Sequence, residues 1–348
     1  MIDRKYCMSS FLMFRTIADH KMSFGKALPR LWVGKNGRVP IHNSKELQEY
    51  LRVCVERTCS DRKMGIALSG GIDSAILARF MPRGSKAYTF KCVVPGVKVT
   101  DETAVAAEYA RECGLEHKVV EIFWEDMEKW APVLMGNKNM PIHSIEVQIY
   151  KAALQAKQDG LDGLIFGESA DVIYGGMSGL LSRDWLLGEF IDRYSYVLPY
   201  KVLKEPVMVL EPYIKYVKDG YIDPHEFVSN FFRIEGMGSY VNAMETADMA
   251  LVCPFSETEL AEPIDYARIR RGENKYLVRE VFKSLYPDFE VPPKLPMPRP
   301  TNEWLKGWGG PVRPEFWPHC TDGMTGDQKW LVWALEKYLN QLDAESIG

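Results

Sequence analysis

The chain has 348 residues, 46% hydrophobic and 26% charged, with a formal net charge of −4. That is enough chain for a sizeable core, with an ordinary globular balance and no surplus charge pointing to a broad nucleic-acid or membrane surface. Seven cysteines at irregular spacing, with no Cys-x-x-Cys pair, argue for reduced thiols rather than a disulfide framework or a zinc site. No apolar run is long enough to span a membrane, and the first residues do not read as a signal peptide, so the expected location is cytoplasmic.

Residues 1–40 show no clear periodicity; Leu31–Val33 followed by Gly34–Gly37 reads as a small hairpin or an ordered linker. Ser44 is placed to cap a helix whose apolar face runs through Leu47, Tyr50, Leu51, Cys54 and Val55. Ile66-Ala67-Leu68 is an apolar run suited to a strand buried on both faces, and Ser69-Gly70-Gly71-Ile72-Asp73-Ser74 turns it into a helix. Residues 87–94 read as a second strand, 101–114 as a helix, 118–122 as a third strand, 143–156 as a helix and 163–166 as a fourth strand. Strands alternating with helices predict a doubly wound parallel α/β sheet, with ligands beyond the carboxyl ends of the strands. Both 69–74 and 167–171 fall at such ends. After residue 180 the pattern becomes helical and aromatic, over 185–200, 224–232, 238–249 and 275–285, with no further strands expected. The proline-rich run from Pro292 should be irregular until Gly326, and 327–342 reads as a closing helix. The predicted organisation is an extension or linker over 1–43, an α/β core over 44–180, a helical portion over 181–300, and a tail over 301–348.

The turn at 69–74 carries the first chemistry. A glycine turn before a helix start brings free backbone N–H groups to an anion, and Ser69 and Ser74 add hydroxyl donors. Asp73 would repel a phosphate, so its presence points to a bridging Mg²⁺. A Walker-type loop is excluded, because no Gly-Lys-Ser/Thr ending follows.

Ser-Gly-Gly-Ile-Asp-Ser resembles the PP-loop of the N-type ATP pyrophosphatases, and the rest of the chain is similar to the synthetase domain of class B asparagine synthetases, with β-lactam synthetase and lasso-peptide cyclases as relatives. Residues 167–176, Gly-Glu-Ser-Ala-Asp-Val-Ile-Tyr-Gly-Gly, look like that family's Gly-Glu-Gly-Ala-Asp-Glu-Leu-Phe-Gly-Gly segment. Cys253-Pro254-Phe255-Ser256-Glu257 is similar to its Pro-Phe-Leu-Asp segment, and Lys275–Arg279 to its Lys-x-x-Leu-Arg helix. Lys294 sits where the family has an Arg-x-Lys-x-Gly-Phe stretch.

The resemblance implies a PP-loop ATP pyrophosphatase fold, adenine nucleotide α-hydrolase-like, with a largely helical C-terminal part. It implies ATP and Mg²⁺ as cofactors. Leu68, Ser69, Gly70, Gly71, Asp73, Ser74, Phe90 and Gly167 would bind the nucleotide, with Phe90 lining the adenine or serving as core. Asp73 and Asp171 would bind the metal; Asp171 also reads as a helix N-cap. Glu168, Lys275 and Lys294 would be catalytic, Glu168 beside the attacking amine and Lys294 over the reacting centre. His117 reads as a surface imidazole, and His143 as a cap, an exposed site or an acceptor contact.

The implied reaction is adenylation of a small-molecule or peptide carboxylate, followed by transfer to ammonia or an amine. The alternatives are a PP-loop nucleoside-modifying, tRNA-modifying or sulfur-transfer enzyme, and a degenerate ATP- or AMP-binding sensor. Three departures from the family pattern stand out. With 64 residues before Gly65 and Ile2 after Met1, no glutaminase domain or amino-terminal cysteine nucleophile is expected, which leaves open a separate amidotransferase subunit or a homo-oligomer. Ser169 replaces a glycine, and Val172 replaces an acidic residue. Val252 and Cys253 stand where relatives usually carry a basic residue, so aspartate does not follow as the substrate.

Overall fold

The computed structural model describes residues 1–34, 37–293 and 295–347. Its elements in chain order begin with helix α1 (Arg4–Phe14), strand β1 (Val39–Ile41) and helix α2 (Ser44–Asp61). Then come β2 (Met64–Ala67), α3 (Ile72–Ala78), β3 (Lys86–Cys92), α4 (Thr103–Cys113), β4 (Glu116–Ile122), α5 (Trp124–Lys138), α6 (Ile145–Gln158), β5 (Gly163–Ile165) and α7 (Ala170–Ile173). The next stretch holds β6 (Trp185–Leu186), α8 (Leu187–Tyr194), α9 (Glu211–Ile214), β7 (Val217–Lys218), β8 (Tyr221–Ile222), α10 (Pro224–Phe227) and α11 (Arg233–Thr246). The chain closes with β9 (Ala250–Val252), β10 (Thr258–Leu260), α12 (Tyr266–Arg270), α13 (Tyr276–Leu285), α14 (Thr301–Trp304) and α15 (Gly326–Ile347).

Five parallel strands form the central sheet in the order β4-β3-β2-β5-β9. The winding reverses at β2: β3 and β4 extend to one side, β5 and β9 to the other. A crevice therefore opens beyond the carboxyl ends of β2 and β5. Both strands are buried throughout. Successive residues of β2 enter opposite cores, Ile66 with Leu47, Ile76 and Phe282, and Ala67 with Phe11, Leu134 and Trp330. Period-two alternation thus packs α2, α3, α4 and α13 on one face and α1, α5, α6, α11 and α15 on the other. Gly163 is required where β5 meets β9, because a Cβ there would come within 2.4 Å of the Ala250 carbonyl oxygen.

The four expected strands are present, and several other expectations need correction. Helix α1 occupies part of the stretch read as aperiodic. Every residue from Cys7 to Phe14 is buried, so no polar face exists to reveal a helical period. Strands also occur after residue 180. β9 completes the main sheet, β10 pairs with β1, and β6, β7 and β8 form a small antiparallel sheet. Residues 185–200 are not one helix, since α8 spans only eight residues after β6. Asn43, not Ser44, caps α2, its side chain accepting from the Glu46 N–H. Helix α5 was also unexpected; Pro132 lies inside it, and proline normally signals a break. Of the 31–37 stretch, read as a small hairpin or an ordered linker, Leu31–Gly34 has no regular structure, and Lys35 and Asn36 lie outside the described residues.

An aromatic cluster built from Phe14, Trp185, Phe190, Tyr194, Tyr213 and Phe227 packs the 180–232 region against α1. Tyr213 and Phe227 stack with ring centroids 5.2 Å apart. Between α10 and α11 the helix widens into a π-type turn over Val228–Phe232, a distortion that frequently accompanies functional sites.

Candidate functional site

The loop after β2 is held by its own hydroxyls. Ser69 N–H donates to Ser74 Oγ (3.0 Å), Gly71 N–H donates to Ser69 Oγ (3.1 Å), and the two hydroxyls are 3.0 Å apart. Neither Gly70 nor Gly71 has the left-handed backbone that glycine favours. The space is moderately tight: a Cβ on Gly70 would touch Glu102 and Val105 at 3.4 Å, an ordinary contact, and one on Gly71 would come within 3.3 Å of Ser69 Oγ. No side chain caps α3, so its first N–H groups are available to an anion.

The loop after β5 abuts this one. A Cβ on Gly167 would lie 2.9 Å from Asp73 Cβ and 3.0 Å from the Ser74 nitrogen, so only glycine lets the two loops touch. Lys275 then joins them. Its ammonium lies 2.5 Å from both Asp73 carboxylate oxygens and 3.1 Å from Asp171 Oδ1. Lys275 is buried and left-handed (φ 53°) at the start of α13, a conformation held by this pairing. Burial works against its charge, but Asp73 and Asp171 outweigh burial and raise its pKa. Gly176 leaves room for the triad: a Cβ would fall 2.0 Å from Asp171 Oδ1 and 2.7 Å from Lys275 Cδ. Gly176→Ala should therefore force the triad apart and destabilise the fold by about 1–3 kcal/mol, as overpacking does. A thermal melt matching the parent would contradict this geometry.

These groups line a cavity of about 490 Å³. Leu68, Ser69, Gly71, Asp73, Ser74, Phe90, Gly167, Glu168, Asp171 and Lys275, all expected from the sequence, border it. Burial raises Glu168 to about 7; Asp171 and Glu235 add to the rise, while the Ser169 N–H and Tyr240 hydroxyl oppose it. Lys294, expected to be catalytic, lies outside the described residues.

On the opposite wall only His143, read as a cap, an exposed site or an acceptor contact, was singled out, and it lines the cavity. Arg15, just past α1, donates to His143 Nε2 (2.7 Å), the Tyr196 hydroxyl (2.5 Å) and Glu235 Oε2 (3.0 Å), with its guanidinium over the Tyr196 ring. His143 is neither exposed nor a cap but buried, and burial together with Arg15, Arg299 and Lys138 keeps it neutral. His117 is half-buried and bonded to Thr89 Oγ1 (2.8 Å), not a surface group. Arg15, Tyr196 and Glu235 carry no local signal, because they meet only through tertiary packing. Glu102 was missed for a different reason: it reads as an ordinary residue in a helix's first turn.

The donors fit the expected ligands. Loop amides and hydroxyls suit phosphate, and Asp73 and Asp171 are the hard oxygen donors Mg²⁺ prefers. No cluster of three or more metal-type side chains occurs among the described residues. No helix of the described residues is long and apolar enough to cross a membrane.

Among the solved structures similar to the chain, two are each 14% identical to it. One is the NMN synthetase from Francisella tularensis, with a TM-score of 0.30, covering 73% of this chain and 100% of that one. The other is the U34-tRNA thiolase NcsA from Methanococcus maripaludis with its 4Fe–4S cluster, with a TM-score of 0.24, covering 72% of this chain and 82% of that one. No curated protein matches the chain. The asparagine synthase family model matches residues 46–230, more than half of the chain, including the Ser-Gly-Gly-Ile-Asp-Ser loop and the 167–176 segment. The chain belongs to the asparagine synthase family.

Proposed function

We propose that this protein is an ATP-dependent, AMP-forming amide ligase, which adenylates a carboxylate and transfers it to an amine or ammonia. The observation that carries this reading is the convergence on one cavity of a phosphate-type loop, a lysine bound by two aspartates, and a carboxylic acid poised near neutrality. Ser69, Gly70, Gly71 and Ser74 hold the pyrophosphate, and Leu68, Phe90 and Gly167 border the nucleoside. Mg²⁺, held by Asp73 and Asp171, would supply charge neutralisation at the phosphates.

A carboxylate oxygen of the substrate attacks the α phosphorus, the bond to the β phosphate's bridging oxygen breaks, and pyrophosphate leaves. The amine nitrogen then attacks the acyl carbon, the bond to AMP breaks, and Glu168 takes the amine proton. Lys275 brings an ammonium to the phosphate side of the cavity. Lys294 is assigned to the reacting acyl group on resemblance alone. The thiols do not favour sulfur transfer: burial pushes all seven above the ordinary range, away from a ready thiolate.

Product analysis across a panel of carboxylates with ammonium or amines tests the reading: AMP and pyrophosphate are expected, and ADP as the only nucleotide product overturns it. The pH profile tests Glu168. A base raised to about 7 is protonated and idle below that pH, so amine transfer should increase as pH rises through about 7. Glu168→Gln should remove that limb and slow transfer about 10²-fold or more. An unchanged profile in the variant excludes Glu168 as the base.

A further inference from the structure

Glu102 stands at the edge of the phosphate loop and takes no part in the mechanism above. It is the residue before α4, and its side chain caps nothing; Asp101, not Glu102, accepts from the Thr103 N–H. Only 9% of Glu102 is exposed, and that part borders the cavity. Its Oε1 lies 3.4 Å from where a Cβ on Gly70 would stand, so the carboxylate sits beside the backbone that is to cradle pyrophosphate. Among the described residues no cation is paired with it. Lys91 is paired with Asp101 (3.3 Å), and Lys275 is engaged by Asp73 and Asp171.

Two anions in contact in a space shielded from water repel by several kcal/mol at short range, unless a cation lies between them. Burial and the neighbouring Asp101 push the Glu102 carboxyl up to about 7, so its charge is costly here, and a cation arriving with the nucleotide would offset that cost. The Asp73–Asp171 pair already has an ammonium, whereas Glu102 has no paired cation among the described residues. Mg²⁺ is usually bound through one or two carboxylates together with substrate phosphates, so a single glutamate suffices.

Resting on the nucleotide reading of the loop, we infer that Glu102 is a ligand for a divalent cation carried by the departing pyrophosphate, at a site separate from Asp73 and Asp171. The ion has no complete site in the free protein. It is bound between Glu102 and phosphate oxygens, so metal and nucleotide bind cooperatively at this edge of the cavity.

The test is binding, not turnover, and needs no knowledge of the carboxylate substrate. α,β-Methylene ATP is titrated into wild type and Glu102→Gln, once in chelator and once with saturating Mn²⁺. Bound Mn²⁺ is counted by electron paramagnetic resonance. The substitution keeps shape and removes charge, and melting curves confirm that the variant is folded. In chelator the variant should bind the nucleotide as well as wild type or better, because a repelling anion is gone. With Mn²⁺ the order should reverse, wild type binding about tenfold tighter or more and holding one more ion. A shift of the same sign in both conditions, or equal ion counts, overturns the inference. Wild type that binds no nucleotide in either condition overturns the nucleotide reading itself, and the inference with it. Wild type that shows metal-dependent binding without the reversal in the variant overturns the inference alone. Glu102→Asp, one methylene shorter, provides a second folded variant and should recover part of the Mn²⁺-dependent affinity, which a loop-shaping role would not.

Discussion

Replacing Lys275 with methionine should lower turnover on the order of 10²–10³-fold, the loss typical of removing one preorganised charge from a reacting centre. The side chain keeps its length and apolar stem, so the site is not opened. The ammonium that binds Asp73 and Asp171 is removed. Nucleotide affinity should also become more dependent on added Mg²⁺, because one positive charge beside the two carboxylates is gone. The pH dependence of the triad follows from the raised pKa of Lys275. Its contribution to stability is fully present below the ordinary lysine pKa and is lost only as pH rises through the raised one, so it is intact across the neutral range. Steady-state kinetics in Mg²⁺ at neutral pH check the rate, and a variant with parental turnover removes Lys275 from the mechanism.

Arg15→Met should be the most destabilising substitution in the cavity wall, at about 3–5 kcal/mol, because it leaves Glu235 buried without its cation. Glu235 is 3% exposed, and its Oε1 has no hydrogen-bond partner; Oε2 relies on Arg15 at 3.0 Å. The Tyr196 hydroxyl and His143 Nε2 lose the same donor. The double variant Arg15→Met, Glu235→Leu should recover most of the loss, since it is the unpaired charge that costs, not the missing pair. Thermal or denaturant melts of the three proteins check this. A double variant less stable than Arg15→Met would show that Arg15 acts through its stem rather than its charge.

These two residues also mark where sequence reading succeeds and where it stops. Lys275 was legible from the Lys-Tyr-Leu-Val-Arg pattern, although its partners were not. Arg15 was invisible, because it follows a helix buried on every side that shows no periodicity. Its partners stand 128, 181 and 220 residues further along the chain. The same contrast runs through the sheet. β2 and β5 are apolar runs bounded by turns, and both were expected. β9 has only three half-buried residues, and its register against Gly163–Ile165 makes it a strand.

The amino-acid order by itself determined the alternating βα core, the loop at 69–74 and the segment at 167–176. Local rules are strong there: short buried strands, glycines at close approaches, and serines that bond their own turn. Only the tertiary structure decided what those loops face. It placed Lys275 between Asp73 and Asp171, brought Arg15 and Glu235 to the opposite wall, and set Glu102 beside Gly70. Each of those outcomes depends on the distance between groups far apart in sequence. Charge interactions and desolvation change steeply over a few ångströms, and a chain read in one dimension contains no such distances.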